Sequence, residues 1–250
     1  AAARSTGAGT LAQLSWARIQ FFFWSRSTAG DKNTLFHFAA RPRYTPPMDL
    51  LKKWFARHER IVIFLGALVL FLVVYFGAAA LPPWRTPWTL GWDPVWLVPF
   101  IPGFIVPYMS AYVMPFIVLA VPVDRAAFRR VARAYAAAIL VAVAGFILLP
   151  LLPPHPSVIG PGSLGDLVRF QYAIDVPRNL FPSLHVALSF LNAFAFARFL
   201  PRWRAPVFFW AMLITASTLF VRQHYVVDVI GGIALALASW RFAFPRDRRA

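Results

Sequence analysis

A chain of 250 residues that is 60% hydrophobic and only 14% charged is too apolar for a soluble domain of its size, and points to several membrane spans. A formal charge of +16 would suit a nucleic-acid partner, but the basic residues fall in short loops between apolar runs, as membrane-protein loops do, and this argues against one. With no cysteine there is neither a disulfide framework nor a thiolate metal site.

Residues 1–47 carry Gly, Ser, Thr and Arg without periodicity, and the cluster Phe21-Phe22-Phe23-Trp24 is too short to cross a bilayer. They read as a disordered tail or an extension outside the functional protein, with a basic, acid-poor targeting segment as the alternative. Met48-Asp49-Leu50-Leu51-Lys52-Lys53 looks like a natural amino terminus, so the membrane domain is placed at 48–250.

Six apolar runs follow, and the predicted fold class is an all-α, six-span helical bundle. The first is Ile61 to Ala80, preceded by Lys52, Lys53, Arg57 and Arg60. The loop after it holds Trp84, Trp88, Trp92 and Trp96, suited to a membrane interface. The second runs from about Gly103 to Val121, and Pro99, Pro102, Pro107 and Pro115 should kink it or break its start. The third is Ala134 to Leu152, after Arg125, Arg129, Arg130 and Arg133. A long loop, Pro153 to Phe181, leads to the fourth, Pro182 to Leu200. The fifth is Pro206 to Val221 and the sixth Tyr225 to Phe244. Six spans put both termini on one side. That side collects most of the basic residues, whereas the other holds only Arg85, Arg169, Arg178 and Arg222, so the termini are expected in the cytoplasm.

Two stretches then share the outer boundary of a multi-pass cell-membrane protein. They are Asn179-Leu180-Phe181-Pro182-Ser183-Leu184-His185 and Arg222-Gln223-His224-Tyr225-Val226-Val227-Asp228. Ionisable side chains at such positions cost free energy unless partnered or used. On a helix His224 and Asp228 lie on one face, so the carboxylate can bond one ring nitrogen and leave the other free to attack. Pro182 suits a first helical turn, and the unpaired N–H groups around Ser183 there would form an anion site. A nucleophile, its orienter, a second histidine and an anion cradle suggest phosphoryl transfer.

At these residues the chain resembles the type 2 phosphatidic acid phosphatase superfamily, and within it the branch containing inositol phosphorylceramide synthases. Pro182-Ser183-Leu184-His185 stands for the family's proline-serine-glycine-histidine motif, with leucine for glycine. Ser217-Thr218 takes the serine-arginine slot, with His224 and Asp228 in register, and Gln223 to Gly232 is close to the synthase-like wording. The resemblance covers about residues 60–245. The family's first motif, a lysine followed by arginine-proline, is not clear; Pro153-Pro154-His155-Pro156 sits roughly in its place, and Arg169 and Arg178 are candidates to fill it.

The resemblance implies a lipid phosphate or phospholipid substrate, a phosphohistidine on His224, and no cofactor or metal. Asp228 would steady His224, and His185 would protonate the leaving group and then deprotonate the acceptor. Ser183, Arg222, Arg178 and the N–H groups near Leu184 would bind the phosphoryl oxygens. Water as acceptor makes a phosphatase; an alcohol makes an inositolphosphotransferase-like lipid phosphotransferase. Oligomeric state is left open.

Plainer readings exist for each residue. His185 could bond a backbone carbonyl, His224 and Asp228 could tie a helix end, Ser183 could only cap, and Arg222 could snorkel. Asp175 reads as a solvated loop residue or a local ion pair, Asn179 as an N-cap, His155 as a loop residue, and Gly231-Gly232 as a helix-packing site. Two rival functions remain: a metal-dependent membrane enzyme using His185, His224 and Asp228, and a six-span transporter.

Overall fold

A computed structural model describes residues 54–55 and 57–245. The expected boundary at Met48, and the tail before it, lie outside the described residues. The architecture is all-helical. In chain order the helices are α1 (Glu59–Ala80), α2 (Ile105–Ser110), α3 (Met114–Ile117), α4 (Arg125–Leu148), α5 (Ser163–Ile174), α6 (Leu184–Phe199), α7 (Arg204–Phe220) and α8 (Val226–Ala243). Four are long and apolar enough to cross a membrane: Glu59–Ala80, Arg125–Leu148, Pro201–Phe220 with its 3₁₀ lead-in, and Val226–Ala243. Two shorter apolar segments, Pro102–Ile117 and Leu184–Phe199, complete the set.

The proline-rich second run is broken, as its composition predicts. A 3₁₀ turn at Pro102–Phe104, α2, α3 and a second 3₁₀ turn at Val118–Ala120 replace one continuous rod. Each proline lacks the N–H that would extend a ladder through it. The third run starts earlier than its hydropathy suggests. Asp124 caps α4 by accepting from Ala127 N (2.7 Å), so Arg129, Arg130 and Arg133 lie on its first turns rather than in a loop. The fourth starts later. Ser183, not a residue before Pro182, is the N-cap, because its Oγ accepts from Val186 N (3.4 Å). Pro182 therefore stands outside the first turn, behind a cis Phe181–Pro182 bond.

α6 is the centre of the bundle. It packs against α3, α4, α7 and α8, and ten of its 16 residues are buried. A helix apolar on all sides is at home only with neighbours all round. α1 is the opposite case: it leans mainly on α4 and buries only Ala78, leaving Leu65, Val69, Leu72, Val73 and Phe76 exposed. Such a face needs a hydrocarbon solvent.

The two ends of the bundle differ chemically. At one end Arg60 donates to Leu119 O (2.7 Å) and Val121 O (2.6 Å), and Arg129 pairs with Glu59. At the other the loops knit together. Trp88 N donates to Pro150 O (3.3 Å) and Leu152 N to Trp88 O (2.8 Å), forming an isolated parallel bridge between Trp88 and Leu151. Ile101 N bonds Phe220 O (2.9 Å), while Tyr225 Oη accepts from Leu90 N (3.1 Å) and donates to Leu152 O (2.9 Å). The heads of α6 and α8 lie at this second end.

Candidate active site

The site forms where the heads of α6 and α8 touch. Ser183 N donates to Asp228 O (3.1 Å), joining the two by their backbones. This closeness depends on Gly232. A Cβ there would sit 2.6 Å from Ser183 O and 2.9 Å from the Val186 Cβ, well inside contact distance. The Gly231-Gly232 pair is therefore a packing site, as its sequence suggests.

The α8 head is fully capped. The buried Asp93 accepts from Val226 N (3.0 Å) and Val227 N (3.1 Å), and also from Val95 N (2.8 Å) in its own 3₁₀ turn, Pro94–Leu97. Asp228 Oδ2 accepts from Tyr225 N (2.9 Å) and lies 3.3 Å from His224 Nδ1, at the long end of hydrogen-bond range. An Nδ1–H that donates to the carboxylate leaves the Nε2 lone pair free. Both residues are buried, His224 at 3% and Asp228 at 0% exposure, so the pair is fixed by its surroundings and not by solvent.

His185, second residue of α6, places its ring centroid 5.7 Å from that of His224. The two imidazoles thus face one small space on one side of the bundle. Tyr108 packs against His185 with the rings tilted by 36° and their centroids 4.7 Å apart, and Tyr112 meets it edge-on at 5.9 Å. The N–H groups of Leu184 and His185 open α6 and have no intrahelical partner. Among the described residues no three His, Cys, Asp or Glu side chains gather as a metal site would require, so His185, His224 and Asp228 do not form a three-donor group.

Arg222 adopts a left-handed φ of 51° and directs its guanidinium to Val98 O (2.6 Å) and Trp96 O (3.5 Å). Arg178 bonds Ala79 O (2.5 Å) and Leu81 O (3.0 Å), the terminal carbonyls of α1. Arg169 pairs with Asp166 (2.5 Å) on the surface of α5 and reaches Ile159 O (3.2 Å). The hydrogen bonds of Arg178 and Arg222 thus weld loops to helix ends. Asn179 is not an N-cap: its Nδ2 donates to Tyr75 O (3.1 Å).

Sequence reading missed a hub. Asp175, expected in solvent or in an ion pair, accepts from Tyr75 Oη (2.8 Å), Tyr108 Oη (3.1 Å) and Gln223 Nε2 (2.6 Å). Gln171 Nε2 reaches it at 3.5 Å and Val176 N donates at 2.8 Å. Burial opposes its ionisation, but the neighbouring His185, the Gln223 and Tyr75 hydrogen bonds and the neighbouring His224 outweigh this and hold the carboxyl below its usual range. Gln223 Oε1 in turn accepts from His155 Nε2 (2.7 Å), whose ring stacks on Tyr172 at 3.5 Å. Burial lowers the His155 pKa, only partly offset by Gln223 and Asp175, so it is neutral near pH 7 and no substitute for an arginine. The one signal available for this hub was the position of Gln223 beside His224. Nothing in the sequence marks Tyr75 or Tyr108.

A cavity of about 530 Å³ runs from this cluster between α1, α3 and α4. His185, Asp175, Tyr75 and Tyr112 form its polar end. Ile63, Phe64, Phe71, Phe128, Val131 and Ile139 line the rest, which is apolar.

Comparison with known proteins gives this geometry a context. Over 63 residues, a quarter of the chain, the sequence is 33% identical to the inositol phosphorylceramide synthase catalytic subunit aur1 of Schizosaccharomyces pombe. The aligned stretch spans 15% of that protein's length. No solved structure matches the chain significantly. The profile of the PAP2 superfamily matches residues 104–242, more than half of the chain and inclusive of both histidines and Asp228. The chain belongs to the PAP2 superfamily.

Proposed function

We propose that this protein is an integral-membrane phosphoryl-transfer enzyme that acts on a lipid phosphate or phospholipid headgroup through a phosphohistidine. The observation that carries this reading is the pair of imidazoles with centroids 5.7 Å apart, His224 buried and oriented by a carboxylate and His185 beside it. His224 Nε2 attacks phosphorus, a P–N bond forms and the P–O bond to the leaving group breaks. The proton on His185 passes to the departing oxygen. An acceptor hydroxyl then returns a proton to His185 as its oxygen attacks phosphorus and releases His224. Asp228 keeps the His224 tautomer and steadies its charge in both steps. The first-turn N–H groups of Leu184 and His185, with Ser183 at the cap, are the donors set for the phosphoryl oxygens. Arg222 and Arg178 contribute positive charge from positions fixed by backbone carbonyls.

The apolar cavity ending at His185 supports a lipid substrate, because it receives hydrocarbon while the headgroup meets the histidines. The same reading takes the shorter segments Pro102–Ile117 and Leu184–Phe199 as the second and fourth of six spans, with the termini cytoplasmic and the site outside. It needs no metal. The position of the site at the end of the helices favours an enzyme over a transporter, which binds near the midplane.

The test incubates purified protein with lipid phosphates in the presence of a strong chelator, with and without inositol, ceramide or diacylglycerol. Free phosphate or a new phospholipid is expected, together with an acid-labile phosphoenzyme that His224→Ala abolishes. Turnover retained in His224→Ala at wild-type yield would refute the mechanism, and loss of turnover on chelation would return the metal reading.

A further inference from the structure

Asp175 is a carboxylate beside the site that the reaction above leaves unused and that, unlike Asp93, does not cap the head of α8. It caps the end of α5 and draws donors from α1 (Tyr75), α2 (Tyr108) and the turn before α8 (Gln223). Its two oxygens already take donors from Tyr75, Tyr108, Gln223, Gln171 and Val176, so no acceptor capacity is left for a substrate hydroxyl. These donors are all neutral. No Lys or Arg guanidinium is bonded to it among the described residues, so its charge stays uncompensated within the network. What shares the cavity with Asp175 is His185, whose ring lies 4.7 Å from that of Tyr108, the residue that bonds Asp175.

We propose that Asp175 is a positioning residue for His185, as Asp228 is for His224: it holds the Tyr108 platform under the ring and supplies the negative charge that favours the protonated, proton-donating form. The inference rests on the phosphoryl-transfer reading. It assigns Asp175 to the half of the reaction in which the proton leaves His185 for the departing oxygen. The titratable groups around His185 are His224, Asp175, Tyr75, Tyr108 and Tyr112, and of these only Asp175 is an anion.

The leaving group separates this role from a structural one. An alkyl or lipid phosphate needs its oxygen protonated, whereas p-nitrophenyl phosphate expels a stable phenolate unaided. Asp175→Asn is expected to lower kcat for a lipid phosphate by about tenfold or more and for p-nitrophenyl phosphate by less than about threefold. Equal losses on both substrates, or none on either, overturn the proposal and leave the parent reading standing. A wild type that turns over neither substrate, and forms no new phospholipid from a phospholipid donor with inositol, ceramide or diacylglycerol, sinks the parent reading, and this inference with it. Should Asp175→Asn fail to give a monodisperse protein, Tyr108→Phe keeps the ring on His185 and removes one donor to Asp175. It must then show the same selective loss on the lipid phosphate, at a few-fold, and an unselective loss counts against the proposal.

Discussion

At the head of α8 the first-turn N–H groups are occupied: Asp93 accepts from Val226 and Val227, and Asp228 accepts from Tyr225. At the head of α6 one 3.4 Å contact from Val186 N to Ser183 Oγ is the cap, and the N–H groups of Leu184 and His185 stay open. A closed start keeps the adjoining histidine still and correctly protonated. An open start retains donors for an incoming anion. In the proposed mechanism the two heads therefore do different work: α8 holds the nucleophile, and α6 receives the phosphate.

The strongest way to break this contrast is Asp228→Asn. The shape survives but the orienter of His224 is lost, and turnover should fall by about 10³- to 10⁴-fold at unchanged yield, the scale set by carboxylate loss in a Ser-His-Asp triad. Initial rates on a lipid phosphate decide it; a loss below tenfold means His224 does not depend on the carboxylate. Asp93→Ala strips three N–H groups, those of Val95, Val226 and Val227, of their acceptor, and should cost about 2–4 kcal/mol, read as a lower unfolding midpoint. A midpoint equal to wild type means the α8 head is held by Asp228 alone. Gly232→Ala pushes a methyl against Ser183 O and should cost about 1–3 kcal/mol while separating the two heads, so stability and kcat fall together. Ser183→Ala should cost about 1 kcal/mol or less; a drop in kcat beyond about tenfold would place the hydroxyl on the phosphoryl group itself.

The smallest effect is on the acid side. The folded state holds Asp175 below its ordinary value of 3.8, so the stability it contributes is complete above that value. That contribution is lost as pH falls through the lower folded pKa. The midpoint difference between wild type and Asp175→Asn should be constant from about pH 7 to 5 and shrink below about pH 4. A difference that instead changes between pH 5 and 7 would mean the folded carboxyl titrates higher than its contacts imply.

The site was readable where chemistry and spacing coincide. His224 and Asp228 lie four residues apart on a turn-to-helix junction, and Ser183 and His185 open the next element's counterpart, so their meeting follows from two apolar runs with polar heads. The prolines of the second span announced its breaks. Hydropathy could not place the start of α4, because Asp124 and the first-turn arginines are polar yet helical. Tyr75, Tyr108, Asp93 and Asp175 were invisible for a different reason. Their partners on other elements lie from 48 residues away (Asp175 to Gln223) to 134 (Asp93 to Val227), and no local pattern encodes such contacts. The partners of the arginines were hidden in the same way. Arg222 and Arg178 were read by charge, yet their hydrogen bonds go to backbone carbonyls that only the folded loops present.

α1 carries one more implication. Leu72 and Phe76 are open to the outside and also line the cavity, as is Phe116 across the gap from Phe64. Tied near both ends, by Arg60 to Leu119 O and Val121 O and by Tyr75 to Asp175, this thin wall turns its apolar side chains sideways. Under the proposed function, a lipid would enter through this wall from its own leaflet, tail first, by a lateral route that keeps its chain out of water.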